Sequence, residues 1–330
     1  MDDVERPPLG VRLLHALGRD RDWSAMTADD LVTYREAENR KRASRLARIV
    51  TGFPDRGAVI RWQEVDLADR RIRVRVHRPT ADRGGDLPLV LHVHGGGFVG
   101  TAAQSDWVTS HLAARLPAVV VSVEHRLLAP GTPLTAAVDD GWDVLLHVVR
   151  HAAEWGIDPA RVAVFGESNG AMVVALAALR ARDTGLRLCA QVLVNPALDV
   201  TDTAFDHASM TEHADSPTLT AAQIRLYQRL AVPPGADAHA VSPLRADDLS
   251  GLAPALVVVP TLDPVADHGR RYVDRLRAAG TPVRSTEHPG APHAFLSMPG
   301  VVPRAKVARA EVAGFLRSYL VGPGVTAAGR

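Results

Sequence analysis

Two stretches near the start of the chain alternate apolar and polar residues one by one. In 71–77, Ile72, Val74 and Val76 share one face, and Arg71, Arg73 and Arg75 share the other. The run 59–67 precedes it across Ala68-Asp69-Arg70. Period-two alternation with a short connection predicts an antiparallel hairpin with one face half exposed. Beyond it the pattern changes to continuous apolar runs at 87–93, 119–123, 162–165, 192–194 and 255–259, with a short strand around 283–287. Such runs predict strands buried on both faces. Between them lie helical patterns over 105–115, 136–155, 171–182 and 265–279. Strand–helix alternation of this kind predicts an α/β fold with a mostly parallel, doubly wound sheet.

Two regions fall outside that rhythm. Thr27 and Asp30 have capping-box-like spacing ahead of a polar, arginine-rich stretch, which predicts a helix to about Ile49, stopped by Thr51-Gly52-Phe53-Pro54. The interval 199–252 carries turn residues and no strand pattern, with one helix predicted over 220–230. An insertion that long over an α/β sheet is often a cap or lid, and the N-terminal helices would complete the roof of a pocket. The small and polar residues 322–330 read as a frayed tail.

Composition narrows the class. The chain has 330 residues, of which 46% are hydrophobic and 23% charged, with a net charge of +1. One large α/β core accommodates that length. The arginines are interleaved with acids, and only Lys41 and Lys306 are lysines, so no basic field points to nucleic acid or an anionic membrane. A single cysteine, Cys189, excludes an intrachain disulfide and a cysteine-type zinc site; at the head of an apolar run it reads as a small buried residue. No run reaches the roughly 20 apolar residues of a membrane span. The acidic start, Met-Asp-Asp-Val-Glu, lacks the cationic and apolar pattern of a signal peptide, so a cytoplasmic location is expected.

The chemistry concentrates at the C-terminal ends of predicted strands, where open α/β sheets place their sites. Gly166-Glu167-Ser168-Asn169-Gly170 follows the strand 162–165 and opens a helix. A sharp strand-to-helix turn needs residues without a Cβ at Gly166 and Gly170, and it lifts a serine to the positive end of the helix. A plainer alternative is a glycine-rich turn with an incidental serine. His94-Gly95-Gly96-Gly97-Phe98 follows the strand 87–93. Three consecutive glycines are costly to order, and their N–H groups suit a developing oxyanion. The alternatives are a mobile surface loop or a phosphate cradle, but no G-x-G-x-x-G or Walker lysine follows.

Serine catalysis needs a base and a group that orients it. In chain order Asp263 follows the strand 255–259, and His293 follows the strand around 283–287. Asp267 competes with Asp263, although a helix start gives it a capping role. His288 competes with His293, although it ends the preceding strand. Among the 14 histidines, His147 and His151 have the i, i+4 spacing of a zinc pair but lack the glutamate of H-E-x-x-H. His92 and His94 share a strand face and read as scaffolding of the glycine loop. No cofactor or metal is expected.

Taken together these motifs resemble the hormone-sensitive-lipase-like esterases and lipases (bacterial family IV) of the α/β-hydrolase superfamily. The resemblance spans about 88–295. It rests on His94-Gly95-Gly96-Gly97-Phe98, Arg126-Leu127-Leu128-Ala129-Pro130, Gly166-Glu167-Ser168-Asn169-Gly170, Ser242-Pro243-Leu244, Asp263-Pro264 and His293-Ala294-Phe295. It implies a triad of Ser168, Asp263 and His293, and an oxyanion hole from the N–H groups of Gly95 to Gly97 and of Asn169. It implies a cap from 1–50 and 199–240 on a catalytic domain of 51–198 and 241–321. The implied substrate is a small or medium acyl ester, and monomer and homodimer both fit.

The chain departs from the family pattern at several points. Asn169 replaces the usual alanine after the serine, His125 the tyrosine before Arg126, Gly131 a glutamate, and His268 an acidic residue; Leu127-Leu128 looks like a one-residue insertion. These bear on substrate preference rather than on activity. Three other readings stay open at this point: a lyase on the same scaffold, a hydrolase that tailors natural products, and a non-catalytic small-molecule receptor. The presence of His293 in its motif argues against the receptor.

Overall fold

In the computed structural model of the protein, the alternating stretches form the predicted hairpin. The structure describes residues 6–18, 21–81 and 84–321; the acidic start and the tail expected at 322–330 lie outside the described residues. Three N-terminal helices come first, α1 (Leu9–Ala16), α2 (Ala28–Ala43) and the single turn α3 (Arg48–Thr51). Thr27 and Asp30 make the capping box of α2. The helix ends well before Ile49, because Ser44 turns extended (ψ 151°) and its hydroxyl accepts from the N–H of Ala47, starting a new turn.

The sheet begins with β1 (Ala58–Asp66) and β2 (Arg71–Pro79), which pair antiparallel from Ala58↔Pro79 to Asp66↔Arg71. Ile72, Val74 and Val76 are buried as the alternation predicts, while Arg73 and Arg75 lie over the Trp62 ring on the opposite face. There follow β3 (Leu87–Val93), α4 (Asp106–Arg115), β4 (Val119–Val123), α5 (Leu134–Arg150), β5 (Ile157–Glu167), α6 (Asn169–Thr184) and β6 (Ala190–Val194). The chain then makes α7 (Ala208–Glu212), the two-residue strands β7 (Asp215–Ser216) and β8 (Leu219–Thr220), and α8 (Ala221–Ala231). It closes with β9 (Ala255–Leu262), α9 (Ala266–Ala278), β10 (Val283–Pro292) and α10 (Arg304–Leu320).

The strand order β1-β2-β4-β3-β5-β6-β9-β10 makes an eight-stranded sheet, antiparallel at β1, β2 and β4 and parallel from there on. Two apolar clusters fill its faces. One gathers Leu91, Val93, Val121, Val164 and Leu193 against α5, α6 and α9; the other gathers Val90, Val120, Phe165, Val192 and Val258 against α4 and α10. Burying each such side chain contributes about 1.5–3 kcal/mol, which is why the strands read as unbroken apolar runs.

Further details differ from the sequence reading: β9 and β10 run past the predicted 259 and 287, so that His288 lies within β10 rather than ending it, and α5 stops at Arg150 rather than 155. β5 starts five residues before its apolar run, because Ile157 pairs with Leu87 across polar intervening positions. The interval 199–252 does hold strands, β7 and β8, but only two residues each. α10 has no counterpart in the pattern analysis, since its stripe is partly alanine (Ala305, Ala308, Ala313) alongside Val312 and Leu316. Cys189 is half-buried rather than buried, with its thiol donating to the Ala160 carbonyl at 3.2 Å.

Candidate active site

Ser168 sits between β5 and α6 with φ 54° and ψ −117°, a conformation that β-carbon-bearing residues avoid. The turn is tight enough that neither flanking glycine tolerates a side chain. A Cβ on Gly166 would lie 2.2 Å from the Gly170 carbonyl oxygen, and one on Gly170 would lie 2.1 Å from that of Val93. The turn therefore holds the serine at the start of α6, beside the loop that leaves β3.

The Ser168 hydroxyl donates to Nε2 of His293 at 2.7 Å, and Nδ1–H of His293 donates to Oδ2 of Asp263 at 2.7 Å. These residues are 125 and 30 positions apart in sequence and converge from β5, β9 and β10. Asp263 is fully buried; its second oxygen accepts the Val265 N–H at 3.0 Å, so both oxygens are engaged. Nδ2 of Asn195, at the end of β6, lies 3.5 Å from Nε2 of His293. The two competitors lie elsewhere in bonding. Asp267 accepts from the Ser209 N–H and pairs with Arg270, while His288 faces Glu311 at 3.1 Å.

The glycine loop lies against this serine. A Cβ on Gly95 would be 3.4 Å from that of Ser168; Gly96 has φ +98° and its Cβ would strike the Val99 carbonyl; one on Gly97 would meet the Tyr227 ring at 2.3 Å. Among the described residues the N–H groups of Gly95, Gly96, Gly97 and Asn169 meet no acceptor. The protein's own backbone therefore leaves these four N–H bonds unengaged. His94 turns its Nδ1 to the Gly95 carbonyl at 2.9 Å and stacks on His125 at 4.3 Å. Burial, and then the neighbouring His125, hold His94 well below its usual value. It scaffolds the loop as a neutral ring.

The departures acquire structural roles. Gly131 has φ +79° at the tip of the turn closed by Ala129 and Thr132, a conformation that disfavours any other residue. His268 accepts the Leu198 N–H on Nδ1 at 3.2 Å, and burial lowers its pKa to about 4. Leu128 is buried and donates its N–H to the Gly97 carbonyl at 2.7 Å. The Asn169 side chain accepts from the Tyr227 hydroxyl at 2.5 Å. Sequence reading missed Tyr227, Asn195 and also Arg35, whose guanidinium donates to the Phe98 and Leu128 carbonyls; the partners of all three lie on other elements, and nothing local distinguishes them from neighbouring helix or loop residues.

His147 and His151 stack at 4.3 Å, and Nδ1 of His151 lies 2.8 Å from the His147 carbonyl, as in an ordinary helix end. Among the described residues no three His, Cys, Asp or Glu side chains gather in a way that could hold a metal ion, and no helix is long and apolar enough to cross a membrane.

Comparison with known proteins agrees on one kind of molecule. A family model described as the α/β-hydrolase fold matches residues 90–297. The carboxylesterase NlhH of Mycobacterium tuberculosis is 38% identical over 242 residues, covering 71% of this chain and 74% of that protein. The arylesterase of Saccharolobus solfataricus is 32% identical over 276 residues, covering 82% and 87%. Among solved structures, the hyperthermophilic esterase of Pyrobaculum calidifontis superposes with a TM-score of 0.83 at 29% identity, over 95% of this chain and 98% of that one.

Proposed function

We propose that this chain, which belongs to the α/β-hydrolase family of hormone-sensitive-lipase-like esterases, cleaves esters through Ser168, His293 and Asp263. It is a carboxylesterase-like serine hydrolase acting on a small-molecule ester. The observation that carries the residue assignment is the unbroken hydrogen-bond chain from Ser168 Oγ through the imidazole to Asp263, 2.7 Å at each link.

The mechanism follows from that chain. Nε2 of His293 takes the hydroxyl proton as Oγ attacks the ester carbonyl carbon. Asp263 holds the tautomer that leaves Nε2 free as acceptor and stabilises the imidazolium that forms. The carbonyl oxygen becomes an oxyanion and is received by N–H groups of the Gly95–Gly97 loop and of Asn169, each worth about 3–4 kcal/mol in the transition state. His293 returns its proton to the departing alkoxide, leaving an acyl-serine. A water molecule, deprotonated by the same imidazole, then releases the acid.

The N-terminal helices and the segment 199–240 form the cap in this proposal, over a catalytic domain of 51–198 and 241–321. The preferred acyl group is small to medium. A cytoplasmic site of action and a monomeric or homodimeric state belong to the same proposal, and cell fractionation and light scattering test them. Relatives named as esterases do not favour the lyase, natural-product or receptor alternatives.

The test is hydrolysis of a p-nitrophenyl ester series from acetyl to long acyl chains, by wild type and Ser168→Ala. The expected result is turnover of the shorter esters by the wild type and its loss in the mutant. Turnover surviving in folded Ser168→Ala would refute the assignment.

A further inference from the structure

Both arms of the proposed oxyanion hole touch one residue of α8. The ring of Tyr227 lies so close over Gly97 that a Cβ there would meet it at 2.3 Å, and its hydroxyl donates to Oδ1 of Asn169 at 2.5 Å. Asn169 is 1% exposed, immediately follows the nucleophile, and opens α6. With Oδ1 held by the phenol, the rotation of its carboxamide is set, and so is the direction of its Nδ2–H bonds. That NH2 group is buried and finds no acceptor among the described residues.

A buried donor without a partner costs about 1–3 kcal/mol. A smaller residue at this position, such as alanine, would carry no such cost. Nothing among the described residues pairs with the group, and its residue directly follows the serine that is to carry the acyl chain. Burial pushes the Tyr227 hydroxyl's pKa up, so the phenol keeps its proton; of the two acceptors within reach, Asn169 Oδ1 at 2.5 Å is much nearer than Met172 Sδ at 3.8 Å. The remaining requirement is an acceptor oxygen, and the molecule that arrives beside Ser168 is the substrate.

The geometry points to Asn169 as a specificity-determining residue whose Nδ2–H donates to an oxygen on the acyl part of the ester, with Tyr227 as the residue that positions it. The substrate class is esters of acids with an ether, hydroxyl or keto oxygen close to the carbonyl, rather than plain alkanoates. This rests on the ester-hydrolase reading above and adds to it the chemistry of the acyl group.

The experiment compares p-nitrophenyl methoxyacetate with p-nitrophenyl butyrate, acyl groups of equal length in which one methylene is an ether oxygen. The kcat/KM ratio of the two esters is read in wild type, Asn169→Ala, Asn169→Leu and Tyr227→Phe, so the intrinsic reactivity of each ester cancels between proteins. Loss of one hydrogen bond is expected to lower the methoxyacetate-to-butyrate ratio about three- to tenfold in both Asn169 variants. In Tyr227→Phe, which keeps the ring over Gly97, the expected fall is about threefold. A purely structural role for either side chain would move both esters alike and leave the ratio where it was. Asn169→Leu keeps the side-chain shape without the donor, so it serves if alanine disturbs the fold. A ratio within twofold of wild type in the folded Asn169 variants overturns the inference, and the same result in Tyr227→Phe removes the positioning role. If the wild type hydrolyses neither ester, or Ser168→Ala still hydrolyses butyrate, the underlying reading falls as well.

Discussion

The guanidinium of Arg35 on α2 donates from Nε to the carbonyl of Phe98 at 2.8 Å, across 63 residues of sequence. A second N–H of the same group goes to the Leu128 carbonyl, and the Leu128 N–H in turn holds the Gly97 carbonyl at 2.7 Å. Farther along α2, Asn39 Oδ1 accepts from the Gly100 N–H at 2.9 Å. Arg42 donates to Gln104 at 3.2 Å, and Gln104 donates to the Gly95 carbonyl at 2.9 Å. Helix α2 thus holds the glycine loop from both ends. Arg35→Ala is expected to lower kcat on p-nitrophenyl esters about tenfold with a smaller change in KM, because the loss falls on alignment in the transition state. Arg35→Lys should restore little, since two acceptors need the forked guanidinium. Steady-state kinetics decide it, and a kcat within twofold of wild type in Arg35→Ala would contradict the role.

A second prediction concerns Asp140, which is fully buried. It accepts from the Arg126 backbone N–H and guanidinium and from Nε of Arg70 at 2.9 Å. Both arginines reach solvent, with 45% and 18% of their side chains exposed, so deleting Asp140 leaves them an aqueous alternative. Asp140→Ala should therefore cost about 2–3 kcal/mol, below the 3–5 expected for fully enclosed pairs. Urea unfolding measures it directly; a midpoint equal to wild type would show that the network is dispensable.

The nucleophile turn makes a sharper claim. Gly166→Ala and Gly170→Ala place a Cβ 2.1–2.2 Å from backbone oxygens, and backbone cannot swing aside as a side chain does. Neither variant should give a folded protein of wild-type melting behaviour. Gly185→Ala is the control: it caps α6 in the left-handed region at φ +74° with open space around it. Its cost should be only the backbone penalty, about 1–2 kcal/mol. Equal melting of all three by circular dichroism would remove the steric argument.

Stability should also fall with acid in a defined window. Burial lowers the pKa of His77 (against the pull of Asp106), of His94 and of His125, and holds His268 at about 4. Folded, these rings stay neutral where unfolded imidazoles, with the usual value of 6.5, take up protons. The unfolded chain therefore binds more protons below that value, and stability rises with pH there. It is fully present above about pH 6.5 and is lost as pH falls towards 4. Most carboxylates are still ionised down to about pH 5, so the drop between 6.5 and 5 belongs to the histidines. His268→Gln, which can keep the Leu198 and Ala204 partners without titrating, should flatten part of the slope. A melting temperature unchanged from pH 7.5 to 5 would refute this account.

What the sequence determined by itself is local. The strand runs at 87–93 and 119–123 appear with the same ends in β3 and β4 because burial on both faces leaves an unbroken apolar signature. The capping box at Thr27, the glycines around Ser168 and the family's order of Ser168, Asp263 and His293 are likewise legible within a few residues or in a known pattern. Only the tertiary structure decided that an alanine-lined α10 covers the sheet, and that Arg35, Tyr227 and Asn195 reach the candidate site. Periodicity and turn chemistry act over one or two turns of chain and so leave a mark on the sequence. A hydrogen bond between residues 58 or 98 positions apart depends on how whole elements stack on the sheet, and no pattern around either partner records it.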